Sequence, residues 1–135
     1  MSLDANKQLI QEFHRAVMVE RNLDAVAQFL RDPFVDHSAP SEDGLASYVQ
    51  WLQTYLTAFP DFTVETEDFI AEDDLVSTHL KITGTQQSEF LGAPATWKPF
   101  TISGMQLYRI ADGKISERWG WVDVMSLRTQ LGIQG

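Results

Sequence analysis

A chain of 135 residues, 44% hydrophobic and 21% charged, has the length of one domain, expected to span 1–135, and a globular rather than a disordered composition. Its net charge of −9, from 19 acids against 10 bases, repels nucleic-acid backbones and anionic lipid, so neither nucleic acid nor membrane is expected as a partner. The lack of cysteine excludes disulfides, thiolate catalysis and cysteine-ligated metals.

The N-terminus carries acids and helical periodicity rather than a basic region and an apolar block. No signal peptide is read there, and a cytoplasmic location is expected. From Asp4 to Glu20, Leu9, Ile10, Phe13, Val17 and Met18 recur at helical spacing, with His14 as a partly buried member of that helix. "NLDAVAQFL" fits a second, short helix ended by Asp32-Pro33. "PFVDHSA" reads as a brief extended piece. Ser41, with Asp43 and Gly44, is placed to open a third helix that carries Tyr48, Leu52, Tyr55 and Phe59 and stops at Pro60.

Strands follow: "FTVETEDFIA", a turn at "EDD", then "LVSTHLKITGTQ", with Val76, Thr78, Leu80 and Ile82 on one parity. The acids Asp61, Glu65, Glu67, Asp68, Glu72, Asp73 and Asp74, with no base among them, read as a solvated hairpin surface. After a loop holding Gly92, Pro94 and Pro99, "FTISGMQLYRI" and "KISERWGWVDV" are joined by "ADGK", a strong hairpin signal. A last helical segment, "MSLRTQL", ends at Gly132. Three helices followed by four strands in meander predict an α+β fold. The helices lie on one face of a curved antiparallel sheet and enclose a pocket.

Asp123 is the unusual residue, a carboxylate among Trp119, Trp121, Val122, Val124 and Met125. On a strand without a bulge, Glu117, Trp119, Trp121 and Asp123 share one face, so two indoles flank the carboxylate. It reads as a general base in an apolar cavity, as the cap of the last helix, or as the partner of an arginine. His37 reads as a donor to a substrate carbonyl or as a half-exposed residue bonded to backbone, and Asp36 beside it is expected to face solvent. His79 lies on the parity of Leu75, Ser77 and Lys81, and alternation alone leaves its face open. Gln106 and Tyr108 share a parity, where they meet either a ligand or a second copy of the chain. Trp51, Tyr55 and Phe59 follow helical spacing, for which core packing is the default reading and the wall of a flat apolar ligand the functional one. Three histidines without metal-ligand spacing, no nucleophile elbow and no Gly-rich phosphate loop imply neither metal nor cofactor.

Several motifs in order, "VDHS" at 35–38, "AFPDF" at 58–62, "GT" at 84–85 followed by "SEFLGAP", then "ADGKISERW", Asp123 and "QLG" at 130–132, resemble the SnoaL-like polyketide cyclase family. That family lies within the nuclear transport factor 2-like superfamily of cone-shaped, cystatin-like α+β folds. The resemblance implies Asp123 as catalytic acid/base and His37 turned toward the cavity. The candidate substrate contacts are Gln86, His79, Gln106, Tyr55, Phe59, Trp119, Trp121 and Phe90. Two departures fall where substrate is held: Gln86 stands where the family usually has His, and Ala95, Thr96 and Trp97 stand where Pro-Thr-Gly is common. The implied reaction is intramolecular aldol closure on a small hydrophobic or polyketide-like ligand, and the implied assembly is a homodimer through the sheet. Alternatives are an isomerase, a dehydratase, an epoxide hydrolase, a non-catalytic ligand-binding module or an interaction protein. The epoxide reaction wants a second carboxylate and an arginine close by, which the sequence does not locate.

Overall fold

Apolar residues three and four apart place one helical face against a sheet, and the helices here are built on that spacing. The structure, a computed structural model, describes residues 3–38 and 44–133. Helix α1 (Leu3–His14) buries Ile10 and Phe13, and a π-helical turn over Arg15–Val19 extends it and buries Val17 and Met18. The second helix is shorter than expected. A 3-10 turn (Leu23–Ala25) leads into α2 (Val26–Phe29), and the chain passes straight into strand β1 (Leu30–Asp36). Helix α3 (Gly44–Ala58) buries Tyr48, Leu52 and Tyr55. The proposed opening of that helix at Ser41 and Asp43 lies outside the described residues.

The meander consists of β2 (Thr63–Glu72), β3 (Leu75–Thr85), β4 (Pro99–Ala111) and β5 (Lys114–Val122). The sheet order is β1-β5-β4-β3-β2. Pro33 to Asp36 of the "PFVDHSA" piece therefore belong to a fifth strand, paired parallel to β5 while every other pair is antiparallel. At the β4–β5 turn, Asp112 and Gly113 both have positive φ, 54° and 74°, as a two-residue hairpin with the right twist requires. Helix α4 (Val124–Leu131) closes the chain, and Gly132 ends it in the left-handed conformation at φ 72°.

Strict alternation in β3 and β4 sends Val76, Thr78, Leu80, Ile82, Ile102, Gln106, Tyr108 and Ile110 toward the helices. Helix α1 packs on β2 and β3, α3 on β1, and α4 on β4, so the core lies between one sheet face and the helices. The other face is open, and it carries Ser77, His79, Met105, Leu107 and Arg109.

A bulge in β5 decides what faces inward. Ile110 pairs with Ile115, but its neighbour Arg109 pairs with Glu117, so Ser116 is an extra residue. Directly opposed residues share a face. Past the bulge, Arg118, opposite Tyr108, and Gly120, opposite Gln106, point inward. Trp119, opposite Leu107, and Trp121, opposite Met105, point outward. Without the bulge, Ile115 would carry Glu117 and both indoles into the core.

Candidate functional site

The inward turn of Arg118 brings it beside Asp36, its direct partner in the parallel β1–β5 register. Asp36 is inward because Phe34, two residues earlier on β1, is a core residue. This reverses the solvent-facing orientation expected for Asp36. Arg118 Nη1 donates to both carboxylate oxygens of Asp36, at 3.2 and 3.0 Å, and to Ser38 Oγ at 3.2 Å. Ser38 Oγ donates to Asp36 Oδ1 at 2.7 Å and accepts from the backbone N–H of Gly120 at 2.8 Å. The ion pair is almost sealed from solvent, with side-chain exposures of 5% for Arg118 and 2% for Asp36. The guanidinium lies over the rings of Tyr48 and Trp51 on α3, with Cζ 4.6 and 5.4 Å from their centroids.

The network continues inward with a fixed direction. Arg118 Nε can only donate, so the Gln106 atom that meets it at 3.1 Å is the carbonyl oxygen. That oxygen also accepts from the Tyr108 hydroxyl. With its one proton committed, Tyr108 must accept at its 3.0 Å contact with His14, so His14 Nε2 carries the hydrogen. Its Nδ1 is a buried lone pair without a partner among the described residues, as is the Tyr48 hydroxyl. Burial, helped by the charge of Arg118, lowers the His14 pKa from 6.5 to about 4, so the ring is neutral near pH 7. Burial also pushes the Tyr108 and Tyr48 hydroxyls up. Burial opposes the charge of Arg118, but Tyr48, Tyr108 and Asp36 outweigh it and hold the guanidinium pKa above its ordinary value.

This network opens on a cavity of about 240 Å³. Its polar floor is Asp36, Ser38 and Arg118, and its walls are Trp51, Trp121, Val122 and Val124. Among the described residues, Arg118 is the one cationic side chain on that floor, so its guanidinium is the donor group at hand for a guest oxygen.

The residues singled out from the sequence are distributed more widely than one site. Asp123 stands in the chain between the lining Val122 and Val124 but is not itself among the lining residues. It is the N-cap of α4, and its Oδ1 accepts from Ser126 N–H at 3.0 Å. Gln106 belongs to the inner network. Trp121 is a cavity wall, although 56% exposed. His37 and Trp119 are on the outer sheet face, ring on ring at 4.4 Å, and His37 Nε2 meets Glu117 Oε1 at 3.1 Å. The turn of His37 toward the cavity is thus corrected: on β1 and its extension, Asp36 and His37 take opposite faces, and the inward one is Asp36. His79 is also outside, with Nδ1 3.0 Å from Asp68. Tyr55, Phe59 and Phe90 form a ring cluster in the core, with centroids 4.8 to 5.8 Å apart. Gln86, fully buried, spends its amide on the loop that follows. Nε2 donates to the carbonyls of Ser88, Ala93 and Pro94, and Oε1 accepts from Thr96 N–H and Oγ. Arg118 and His14 were not singled out as site residues. The sequence signal for Arg118 is a charged residue immediately before the Trp119-Gly120-Trp121 stretch, which has meaning only once the bulge is known. Among the described residues, no group of three or more His, Asp or Glu side chains is placed to hold a metal ion. No helix among them is long and apolar enough to cross a membrane.

The sequence model of the SnoaL-like polyketide cyclase family matches residues 8–131. No curated protein matches the sequence. Among solved structures, the chain is similar to AclR of Streptomyces galilaeus, a proposed hydroxylase: 28% identity, TM-score 0.89, over 99% of this chain and 89% of that one. It is similar to IdmH of Streptomyces antibioticus, a proposed polyketide cyclase, at 25% identity and TM-score 0.81, over 94% of this chain and 98% of that one. TsrD of Streptomyces laurentii shares the fold, with TM-score 0.88 at 21% identity and 99% of both chains covered.

Proposed function

Because the chain belongs to the SnoaL-like polyketide cyclase family, we propose that it acts on a small, largely apolar carbonyl compound by proton transfer, with intramolecular aldol ring closure as the reaction. Such a closure needs a proton removed from carbon next to a carbonyl, a stabilised enolate and two chain ends held together. The Arg118 guanidinium, held by Asp36, Ser38 and Gln106, is a preorganised donor for the enolate oxygen in a site of low exposure, where such donors are worth most. Asp36 balances the guanidinium charge and holds its plane. Asp123 takes the carbon proton on Oδ2, the carbanion attacks the second carbonyl carbon, and the proton returns to the new alkoxide. Trp51 and Trp121 supply flat apolar walls that fold the ligand on itself.

The observation that carries this reading is the buried Asp36–Arg118 pair on the floor of an otherwise apolar cavity. An apolar replacement of such a pair is often neutral or stabilising for the fold, so stability alone does not account for it. Asp123→Asn keeps an oxygen for the Ser126 N–H and removes the base. With a β-keto ester of polyketide type as substrate, turnover should fall on the order of 10²-fold or more with melting unchanged. Undiminished turnover would remove Asp123 from the mechanism. Asp123→Ala should in addition lose about 1 kcal/mol of stability as the cap disappears.

A second reading, hydrolytic opening of an epoxide, gains from the same pair. A carboxylate beside an arginine is the combination that the sequence alone did not locate, and a styrene oxide assay run in parallel decides between them. A second copy of the chain is the proposed partner. It would cover the outer sheet face, where Ile70, Met105 and Trp121 stand 65%, 49% and 56% exposed.

A further inference from the structure

Gly120 stands inside β5, where glycine weakens a strand and a β-branched residue strengthens it. Its backbone does not call for glycine, since it is not among the positive-φ residues. The space above it does. A Cβ at position 120 would lie 2.4 Å from Arg118 Nη2, 2.6 Å from Cζ and 2.9 Å from Nη1. The end of a surface arginine would swing aside at little cost. This one is held by Gln106, Asp36 and Ser38, and the rings of Tyr48 and Trp51 lie against it. Any displacement breaks those bonds or drives the guanidinium into the cavity. The N–H of Gly120 also donates to Ser38 Oγ, the hydroxyl that ties Asp36 to Arg118.

We infer that Gly120 is a positioning residue for Arg118: its missing side chain lets the guanidinium lie flat across β5, beside the cavity. The consequence for catalysis rests on the reading that Arg118 holds the substrate oxygen. The seating itself does not depend on that reading.

The test is a double-mutant comparison with an independent probe of Arg118. In 15N-labelled wild type, the Arg118 Nε–H that donates to Gln106 gives a slowly exchanging resonance. Gly120→Ala should speed its exchange at least about tenfold and lower the melting temperature. The reference background is Asp36→Asn/Arg118→Met, which removes both charges and leaves none buried alone. There Gly120→Ala should leave melting unchanged or raise it, because alanine suits a strand interior better than glycine. Equal losses of melting temperature in both backgrounds, or an unaltered Nε–H in Gly120→Ala, would overturn the inference. Quenching of tryptophan fluorescence by 1-acetylnaphthalene separates the two readings. No quenching in wild type, together with the sign reversal, would remove the substrate reading and leave Gly120 as the seat of Arg118.

Discussion

His14 shows how one buried side chain makes the whole fold sensitive to pH. The donor at Arg118 Nε fixes Gln106, Gln106 fixes Tyr108, and Tyr108 fixes the tautomer of His14. A second proton on Nδ1 would be a buried cation without an acceptor, near the guanidinium of Arg118. The pKa accordingly falls from 6.5 to about 4, which corresponds to roughly 3 kcal/mol of differential stability. The sign follows from the proton count. Between pH 6.5 and 4 the unfolded chain binds a proton that the folded one refuses, so stability is full above pH 6.5 and is lost as pH falls toward 4. Denaturant melts at pH 7.5 and 4.5 should show this loss in wild type, beside whatever the carboxylates contribute. His14→Gln, which still donates to Tyr108, should show a smaller difference by up to about 3 kcal/mol. An identical pH response in the two proteins would mean that His14 is protonated freely in the fold.

At the scale of elements, the sequence was legible wherever periodicity was unbroken. The α3 spacing, the Asp112-Gly113 turn and the alternation of β3 and β4 all stand as expected. It failed at single-residue irregularities, because a side-chain period of two turns any one-residue slip into a change of face. The extra residue at Ser116 sent Trp119 outward and Arg118 inward, so that Asp123 looked like a partner of two indoles on one wall. "VDHS" carried a second ambiguity. A histidine draws attention as a titratable group, yet the parity of Phe34 places Asp36 inside. That β1 pairs with β5 at all depends on contacts more than 80 residues apart, which local pattern does not report. Gln86 is a third case. Its place, where the resembled family usually has His, suggested substrate contact, but its amide organises the turn containing Leu91 and Gly92, both at positive φ, and Trp97 at φ 58°. Gln86→Ala would strand three carbonyls that share its two protons and should cost about 2–4 kcal/mol. Backbone amides of residues 91–97 should then exchange faster while those of β3 stay protected. Uniform exchange across both would assign Gln86 to global packing instead.

For the whole molecule, the distribution of apolar surface argues for assembly. Cross-strand register lines up Ile70, Ser77, Leu107 and Trp119 in one row, with Met105 and Trp121 in the next. This forms an apolar band across a sheet face that no helix among the described residues covers, and bands of this kind on a folded chain mark contact surfaces. Charges flank it: Glu117 bridges His37 and Arg109, and His79 meets Asp68. His37 and then Arg109 hold the Glu117 carboxylate below its ordinary pKa, so that carboxylate stays ionised through neutral pH. Two chains that each carry −9 repel at long range, whereas an apolar contact is indifferent to salt. The proposed dimer should therefore tighten between 50 and 500 mM salt, the opposite of an assembly held by opposite charges. Sedimentation equilibrium across that range measures it directly. Met105→Glu/Leu107→Glu places two carboxylates in the centre of the band and should give a monomer with an unchanged circular dichroism spectrum. Because Trp121 belongs both to the band and to the cavity wall, that monomer should also bind 1-acetylnaphthalene more weakly. A dimer that survives the double substitution would put the contact elsewhere and leave the exposed indole to the ligand alone.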